Sequence, residues 1–231
     1  MSKSKVDKIS PQTLSKLKKL KRILQDMGKV VVAFSGGVDS TFLLRVASDV
    51  LGENVLAVTG NSETYPEKEV KEAKKLAKNL DVRHRVIRTY ELENPRFSSN
   101  PPGRCYFCKQ ELFSRLKEIA LGEAIPWVVD GSNYEDRFDY RPGARAGKEL
   151  GVRSPLKEAK LLKSEIRKLS RLLDLPTWNK PSLACLASRF PYEAEIERKS
   201  LRQIAEAEDL LRTLGFSQVR VRHHGQTARV E

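Results

Sequence analysis

Short apolar runs alternate with longer amphipathic segments through the first 130 residues. Val30–Phe34 is a continuous apolar run, typical of a strand buried on both faces of a parallel sheet. Three further strands are predicted at Asn54–Thr59, Val82–Arg88 and Ile125–Asp130, and segments with helical spacing of apolar residues separate them. This alternation predicts an α/β fold with a doubly wound parallel sheet and right-handed crossovers.

The remaining patterned segments lie at the two ends of the chain. A basic amphipathic helix is predicted to end at Gly28, and another helix is predicted at Ile196–Leu214. Gln218–Arg222 alternates like a half-exposed strand, the next three residues are predicted to turn, and Thr227–Glu231 begins another strand. We therefore expect a basic helix, an α/β domain and the start of a small C-terminal α+β domain, at residues 1–28, 29–189 and 190–231. We also expect the natural chain to continue past residue 231.

The first strand leads into a glycine turn and then a helical pattern, at Ser35–Ser40 (SGGVDS). Adjacent glycines let successive backbone N–H groups curl into one concavity, and the helix that follows adds the positive end of its dipole. Neither GxxxxGK[ST] nor GxGxxG is present. The segment is suited to an oligophosphate, and the alternative is a tight turn without a ligand.

Three polar or proline-rich segments interrupt the pattern after the third strand. They are Asn94–Arg104, Asp136–Arg145 and Pro176–Arg189, and the first is longer than a structural connection needs. The first of them leads directly into Cys105 and Cys108, and the third contains Cys185, so the thiols of the chain belong to its least regular parts.

Several kinds of chemistry fit Cys105, Cys108 and Cys185. They could be buried structural thiols, a redox pair with a third cysteine, or part of a zinc site whose fourth ligand would be a histidine. None of the three histidines has ligand-type spacing to a cysteine. Three thiolates also fit a [4Fe–4S] cluster with one iron open to a further ligand such as sulfide.

The composition narrows the classes of function. The net charge is +13, but residues 1–30 hold nine Lys or Arg side chains against two acidic ones, so we expect no nucleic-acid partner. No apolar stretch is long enough to span a bilayer, and the N-terminus lacks the apolar core of a signal peptide. With three cysteines and no secretory signal, we expect a cytoplasmic protein with reduced thiols and no membrane partner.

Four motifs together resemble one known family. SGGVDS is similar to the pyrophosphate loop (PP-loop) of the N-type ATP pyrophosphatases, whose fold is adenine nucleotide alpha hydrolase-like. PPGRCYFCK, DGSNYEDRFDYRPG and KPSLACLASR, in this order, resemble the LarE family. That family contains the ATP-dependent sulfur transferases of nickel-pincer cofactor biosynthesis, which serves lactate racemase-type enzymes.

The resemblance implies a reaction. ATP would adenylate a carboxylate of pyridinium-3,5-biscarboxylic acid mononucleotide, and a protein-bound sulfur would convert the acyl-adenylate into a thiocarboxylate. In one branch of the family the cysteine of the ACLASR-like motif, here Cys185, gives up its own sulfur. In another branch three cysteines hold a [4Fe–4S] cluster. Because Cys105, Cys108 and Cys185 are all present, the chain resembles the cluster branch.

The expected site residues form three groups. The catalytic and cluster-binding group is the three cysteines. The pyrophosphate group is Ser35, Gly36, Gly37, Asp39 and Ser40, with Asp39 expected to act through Mg²⁺. Arg220 and Arg222 are expected to bind the phosphate of the substrate or of AMP, unless they merely line a solvated strand face. Arg104 and Arg189 are further anion-binding candidates, for which the alternative is a surface salt bridge.

Other functions remain open at this level. A PP-loop tRNA thiolase would share the loop and the cluster, an ammonia-using synthetase would need no cysteines, and an AMP-binding module would not cleave ATP. We expect a small-molecule nucleotide substrate, a sulfide or other sulfur donor, and a homo-oligomer, the last by resemblance to the family.

Overall fold

The computed structural model describes residues 9–138, 142–182, 184–216 and 218–231. Its main sheet has four parallel strands in the order β3-β2-β1-β4, which confirms the predicted parallel sheet. A separate antiparallel pair, β5-β6, lies near the end of the chain. The strands are β1 (Val30–Ala33), β2 (Val55–Asn61), β3 (Arg83–Arg88), β4 (Trp127–Val129), β5 (Val221–His224) and β6 (Thr227–Val230).

Helices connect the strands and cover both faces of the sheet. In chain order they are α1 (Pro11–Met27), α2 (Val38–Leu51), α3 (Glu67–Asn79), α4 (Pro95–Ser98), α5 (Arg104–Gly122), α6 (Pro142–Glu149), α7 (Pro155–Glu158), α8 (Lys163–Leu172) and α9 (Arg198–Thr213). None of the helices in the described ranges is both long enough and apolar enough to cross a membrane.

The valines of β1 are buried because each face of the sheet has its own core. Val30 and Val32 belong to the cluster formed with α1, α2 and α8, whereas Val31 belongs to the cluster formed with α5. Successive side chains of a strand point to opposite faces, so a strand that is covered on both sides needs an unbroken apolar run. The sequence of β1 meets this requirement.

A third apolar cluster lies apart from the sheet. It joins α4, the segment that follows Cys185, and α9 through seven buried side chains: Phe97, Leu186, Ala187, Phe190, Ile196, Leu201 and Ile204. The cluster includes residues from both sides of position 189, where the sequence suggested a domain boundary. That boundary stays a prediction.

The clearest differences from the predicted elements are at the C-terminal strand pair and in the second polar segment. β5 begins at Val221 and includes both histidines that were expected to turn, so the turn falls at Gly225-Gln226. His223 stacks on Phe190, with ring centroids 5.0 Å apart, and this contact favours an extended backbone. The second polar segment is also shorter than expected because α6 begins at Pro142; positions 139–141 lie outside the described residues.

Candidate functional site

The glycine turn after β1 has a backbone that only glycine adopts easily. Gly36 has a φ of +70°, and a Cβ there would lie 3.3 Å from the Cβ of Ala73 on α3. Gly37 is the N-cap of α2 and offers no side chain to the first turn. The first N–H groups of α2 therefore lack a side-chain cap, which leaves them suited to bind an anion.

Two hydroxyl groups complete the turn. The Ser35 and Ser40 Oγ atoms are 3.1 Å apart, and Ser35 Oγ accepts a hydrogen bond of 3.4 Å from the N–H of Gly37. Ser40 Oγ also lies 3.3 Å from the carbonyl oxygen of Gly37. The structure thus brings the predicted serines and glycines close together at the carboxyl end of β1.

Asp39 lies in the first turn of α2, where a lysine from another element pairs with it. Its Oδ2 is 2.6 Å from Nζ of Lys163, the first residue of α8. Its Oδ1 is buried and has no hydrogen-bond partner among the described residues. Mg²⁺ usually takes one or two carboxylates together with phosphate oxygens, so an unpaired carboxylate oxygen beside a phosphate loop fits this ion.

The loop after β4 contacts the glycine turn directly. A Cβ on Gly131 would lie 2.9 Å from the backbone nitrogen of Ser40, so only glycine fits there without a shift. Asp130 stabilises this loop by accepting hydrogen bonds from the hydroxyls of Ser132 (2.8 Å) and Ser154 (2.7 Å). The loop that follows β4 is therefore packed directly against the start of α2.

Lys180 connects the third irregular segment to the glycine turn. Its Nζ lies 3.4 Å from the carbonyl oxygen of Gly36 and forms ion pairs with Glu69 (2.8 Å) and Glu72 (2.9 Å) on α3. Burial by itself lowers the pKa of Lys180, but the hydrogen bonds to the two glutamates outweigh it and raise that pKa. Lys180 therefore stays charged beside the phosphate loop.

The three cysteines form the second part of the candidate site. Cys105 and Cys108 lie in the first turn of α5, and Cys185 precedes a 3₁₀ turn at Leu186–Arg189. Cys105 is exposed and the other two are partly buried. The N–H of Leu186 donates to the carbonyl oxygen of Thr64 (2.9 Å), so the Cys185 segment is held at the carboxyl end of β2.

Burial keeps two of the thiols protonated at neutral pH. It raises the pKa of Cys108 to about 12, and the nearby charges of Glu91 and Cys185 act in the same direction. The pKa of Cys185 is also raised, first by burial and then by Cys105. A metal ion bound at these thiols would deprotonate them despite the raised pKa values.

A partly buried tyrosine and a buried glutamate lie against the thiols. The Oη of Tyr65 is 3.9 Å from the Sγ of Cys108, and the charge of Cys108 followed by burial raises the pKa of Tyr65 well above its usual range. Glu91 is 2% exposed and accepts hydrogen bonds from the hydroxyls of Ser62 (2.5 Å) and Thr64 (2.7 Å). The loop after β2 therefore forms one side of the cysteine site.

The ligand side chains at this site can be compared with what a single metal ion and an iron–sulfur cluster each require. Within the described ranges, no three His, Cys, Asp or Glu side chains are arranged to hold a single metal ion. A [4Fe–4S] cluster is larger than one ion and takes thiolates from Cys side chains that lie further apart. Three thiols are the donor set of a cluster that keeps one iron open to a further ligand.

Arg189, one of the four predicted arginines, is already paired with a carboxylate. Arg189 is 3% exposed and pairs through Nε and Nη2 with the fully buried carboxylate of Glu208, at 2.8 and 3.0 Å. Its remaining Nη1 donates to the carbonyl oxygen of Ala184 and to the hydroxyl of Ser188. Arg189, predicted as an anion-binding candidate with a surface salt bridge as the alternative, thus forms a buried salt bridge, and its donors are already used.

The two arginines near β5 have different surroundings. Arg222 pairs with the Glu231 side chain (3.0 Å) and donates to the carbonyl oxygen of Ser188 (2.9 Å), close to the Cys185 segment. The side chain of Arg220 is exposed. Of these two arginines, only Arg222 therefore has a hydrogen bond to the Cys185 segment among the described residues.

Four of these site residues are not apparent from the sequence. Lys163 and Lys180 are two basic residues among 43, and nothing in their spacing distinguishes them. Tyr65 and Glu91 follow β2 and β3, and the rule that ligands bind at the carboxyl ends of parallel strands is the one signal that could have found them.

Comparisons with known proteins agree on the fold. The family described as NAD synthase matches residues 15–119. The solved structure of NMN synthetase from Francisella tularensis aligns with a TM-score of 0.58 at 20% identity, covering 74% of this chain and 75% of that one. At this identity the likeness concerns the fold alone.

Two relatives match nearly the whole chain. The uncharacterized protein slr1717 of Synechocystis is 45% identical over 94% of this chain and 81% of its own length. The pyridinium-3,5-bisthiocarboxylic acid mononucleotide synthase of Lactiplantibacillus plantarum is 41% identical over 90% of this chain and 76% of its own. The chain belongs to the LarE family. This LarE-family protein is therefore an enzyme, an ATP-dependent sulfur transferase with a PP-loop domain.

Proposed function

We propose that this LarE-family enzyme uses ATP to adenylate a carboxylate of pyridinium-3,5-biscarboxylic acid mononucleotide and converts it into a thiocarboxylate. The observation that carries the proposal is the meeting of two sites at one edge of the sheet. Lys180 contacts Gly36 of the phosphate loop, and Leu186, six residues later, is bonded to the loop after β2 beside the cysteines. A group activated at the first site would lie close to sulfur at the second.

Adenylation needs an anion site that stabilises the departing pyrophosphate. A carboxylate oxygen of the substrate attacks the α-phosphorus of ATP, and the bond to the β-phosphate oxygen breaks, which releases pyrophosphate. We assign the binding of that pyrophosphate to the backbone of Gly36 and Gly37, the hydroxyls of Ser35 and Ser40, and the side chain of Lys163. A Mg²⁺ ion held by Asp39 would neutralise phosphate charge there.

Sulfur transfer needs a sulfur nucleophile that attacks the acyl-adenylate before water hydrolyses it. A cluster held by Cys105, Cys108 and Cys185 would supply sulfide as that nucleophile. Sulfide supplied there would displace AMP from the acyl carbon, AMP would leave with the bonding electron pair, and a thiocarboxylate would remain. The partly buried positions of Cys108 and Cys185 limit the access of water, which would otherwise hydrolyse the acyl-adenylate.

Further details belong to the same proposal. Arg222 and Arg220 would bind the phosphate of the mononucleotide or of AMP, and the donor would be sulfide or a related sulfur compound. The product would serve the synthesis of a nickel-pincer cofactor. A cytoplasmic location and a homo-oligomeric state stay predictions.

ATP–pyrophosphate exchange tests the activating half of the proposal. We expect exchange that depends on the dicarboxylate mononucleotide and survives replacement of all three cysteines by serine. Exchange with tRNA in place of the mononucleotide would favour a tRNA thiolase, and no exchange with either would contradict the proposal.

Anaerobic reconstitution tests the sulfur-donating half. We expect about four irons per chain, lost in the variant that lacks the three cysteines, and a thiocarboxylate product detected by mass spectrometry. If the product forms without iron while Cys185 loses the mass of its sulfur, the sacrificial route is correct and the cluster is not.

A further inference from the structure

The side chain of Arg104 occupies an unusual position beside the cysteines. Arg104 is the first residue of α5, immediately before Cys105, and it is 7% exposed. Cys105 and Cys108 lie in the same first turn of α5. Arg104 therefore belongs to the helix end that carries two of the three cysteines.

The guanidinium group has no counter-ion in the described part of the chain. Its Nε is buried and has no hydrogen-bond partner, and no carboxylate in the described ranges forms an ion pair with it. Buried charges in proteins are normally paired, because an unpaired charge has lost its hydration without compensation. Arg189, four residues after Cys185, shows the usual arrangement with the buried carboxylate of Glu208.

The orientation of the group points to the kind of ligand. The ring of Tyr192 lies 5.4 Å from the guanidinium carbon and covers the face of the group. A guanidinium that is stacked on one face still has its N–H edge, and that edge matches the two oxygens of a carboxylate. A planar carboxylate beside the cysteines would satisfy both the charge and the unused donor.

We propose that Arg104 binds the second carboxylate of the substrate, the one that is not being adenylated. This inference rests on the proposed function, which supplies a ring with carboxylates at positions 3 and 5. While one carboxylate reacts, the other keeps its charge and needs a partner close to the sulfur donor. Arg104 would thereby fix the orientation of the ring and select dicarboxylates over monocarboxylates.

A binding experiment with two ligands tests this assignment. The metal-free wild-type chain and Arg104→Gln are titrated by calorimetry with the dicarboxylate mononucleotide and with nicotinic acid mononucleotide, which lacks the second carboxylate. We expect the variant to bind the dicarboxylate about 10- to 100-fold more weakly and the monocarboxylate as the wild type does. Arg104→Lys keeps the charge without the planar edge, and we expect an intermediate loss.

Arg96 provides the matched control. It is an exposed arginine on α4, so Arg96→Gln removes the same charge from the same region without touching the site. Thermal melting of each variant separates lost binding from lost folding, and Arg104→Lys serves if Arg104→Gln does not fold.

Three outcomes would overturn the inference. If both ligands lose affinity equally, Arg104 holds the phosphate or another common group. If neither ligand loses affinity, the guanidinium contacts no part of the substrate. If the wild-type chain fails to bind the dicarboxylate at all, the proposed function fails and this assignment fails with it.

Discussion

Replacement of Glu208 by glutamine removes a carboxylate that holds the Cys185 segment against α9 and β5. The carboxylate is fully buried and accepts four hydrogen bonds, two from Arg189 and one each from Arg212 (2.8 Å) and the N–H of Val221 (3.1 Å). Glutamine has nearly the same shape but no charge, so the variant leaves the guanidinium of Arg189 buried without a counter-ion.

The cost can be worked out from this geometry. Breaking a buried ion pair by removing one partner costs about 3–5 kcal/mol, and an isosteric amide that still accepts hydrogen bonds belongs at the lower end. For a chain of this size each kcal/mol lowers Tm by about 2–4 °C, so Glu208→Gln should lower Tm by about 6–12 °C. The surface variant Glu206→Gln, on the same helix, should leave Tm unchanged.

The pH dependence adds a second test of Glu208. Burial, the largest single influence, raises its pKa, but the hydrogen bonds from Arg189 and Val221 together with the nearby positive charges outweigh it and lower that pKa. The stabilisation is therefore present above the unfolded pKa of about 4.3 and is lost as the pH falls through the lower folded pKa. The difference between wild type and Glu208→Gln, measured by denaturant unfolding, should shrink below about pH 4. An equal Tm for the two proteins at neutral pH would refute the reasoning.

Three further predictions concern the two halves of the site. Gly36→Ala strains a backbone with φ of +70° against Ala73, so we expect a loss of about 1–2 kcal/mol in chemical denaturation together with weaker ATP binding; a fully stable variant with wild-type affinity would contradict this. Lys163→Met removes a charged donor beside Asp39, so the KM for ATP should rise about tenfold, and an unchanged KM would exclude Lys163 from the phosphate site. In the metal-free chain, iodoacetamide should modify Cys108 slowly at pH 8 and faster as the pH approaches about 12, as followed by peptide mass spectrometry, whereas rapid modification at pH 8 would refute the raised pKa.

The parallel sheet was predictable because its signal is local. Val30–Ala33 had to be continuously apolar to be covered on both faces, and the glycines that follow had to permit an unusual backbone, so the run and the turn appear side by side in the sequence. The rule that ligands bind at the carboxyl ends of parallel strands also agrees with the position of the loops after β2 and β4.

The rest of the site depends on contacts between distant positions. Asp39 and Lys163 are 124 residues apart, and Lys180 is 144 residues from Gly36. No local pattern identifies such a lysine among many basic residues. The same holds for Arg189, whose buried partner lies 19 residues later on another helix, so the sequence alone could suggest only an anion site or a surface pair.

The contact between the Cys185 segment and the loop after β2 has a consequence for biosynthesis. The hydrogen bond from Leu186 to Thr64 can form only after residue 186 has left the ribosome, whereas β1, β2 and the glycine turn are made much earlier. Cys105 and Cys108 are therefore made before their third partner exists, and any metal group that needs all three thiols can be loaded only once Cys185 has emerged.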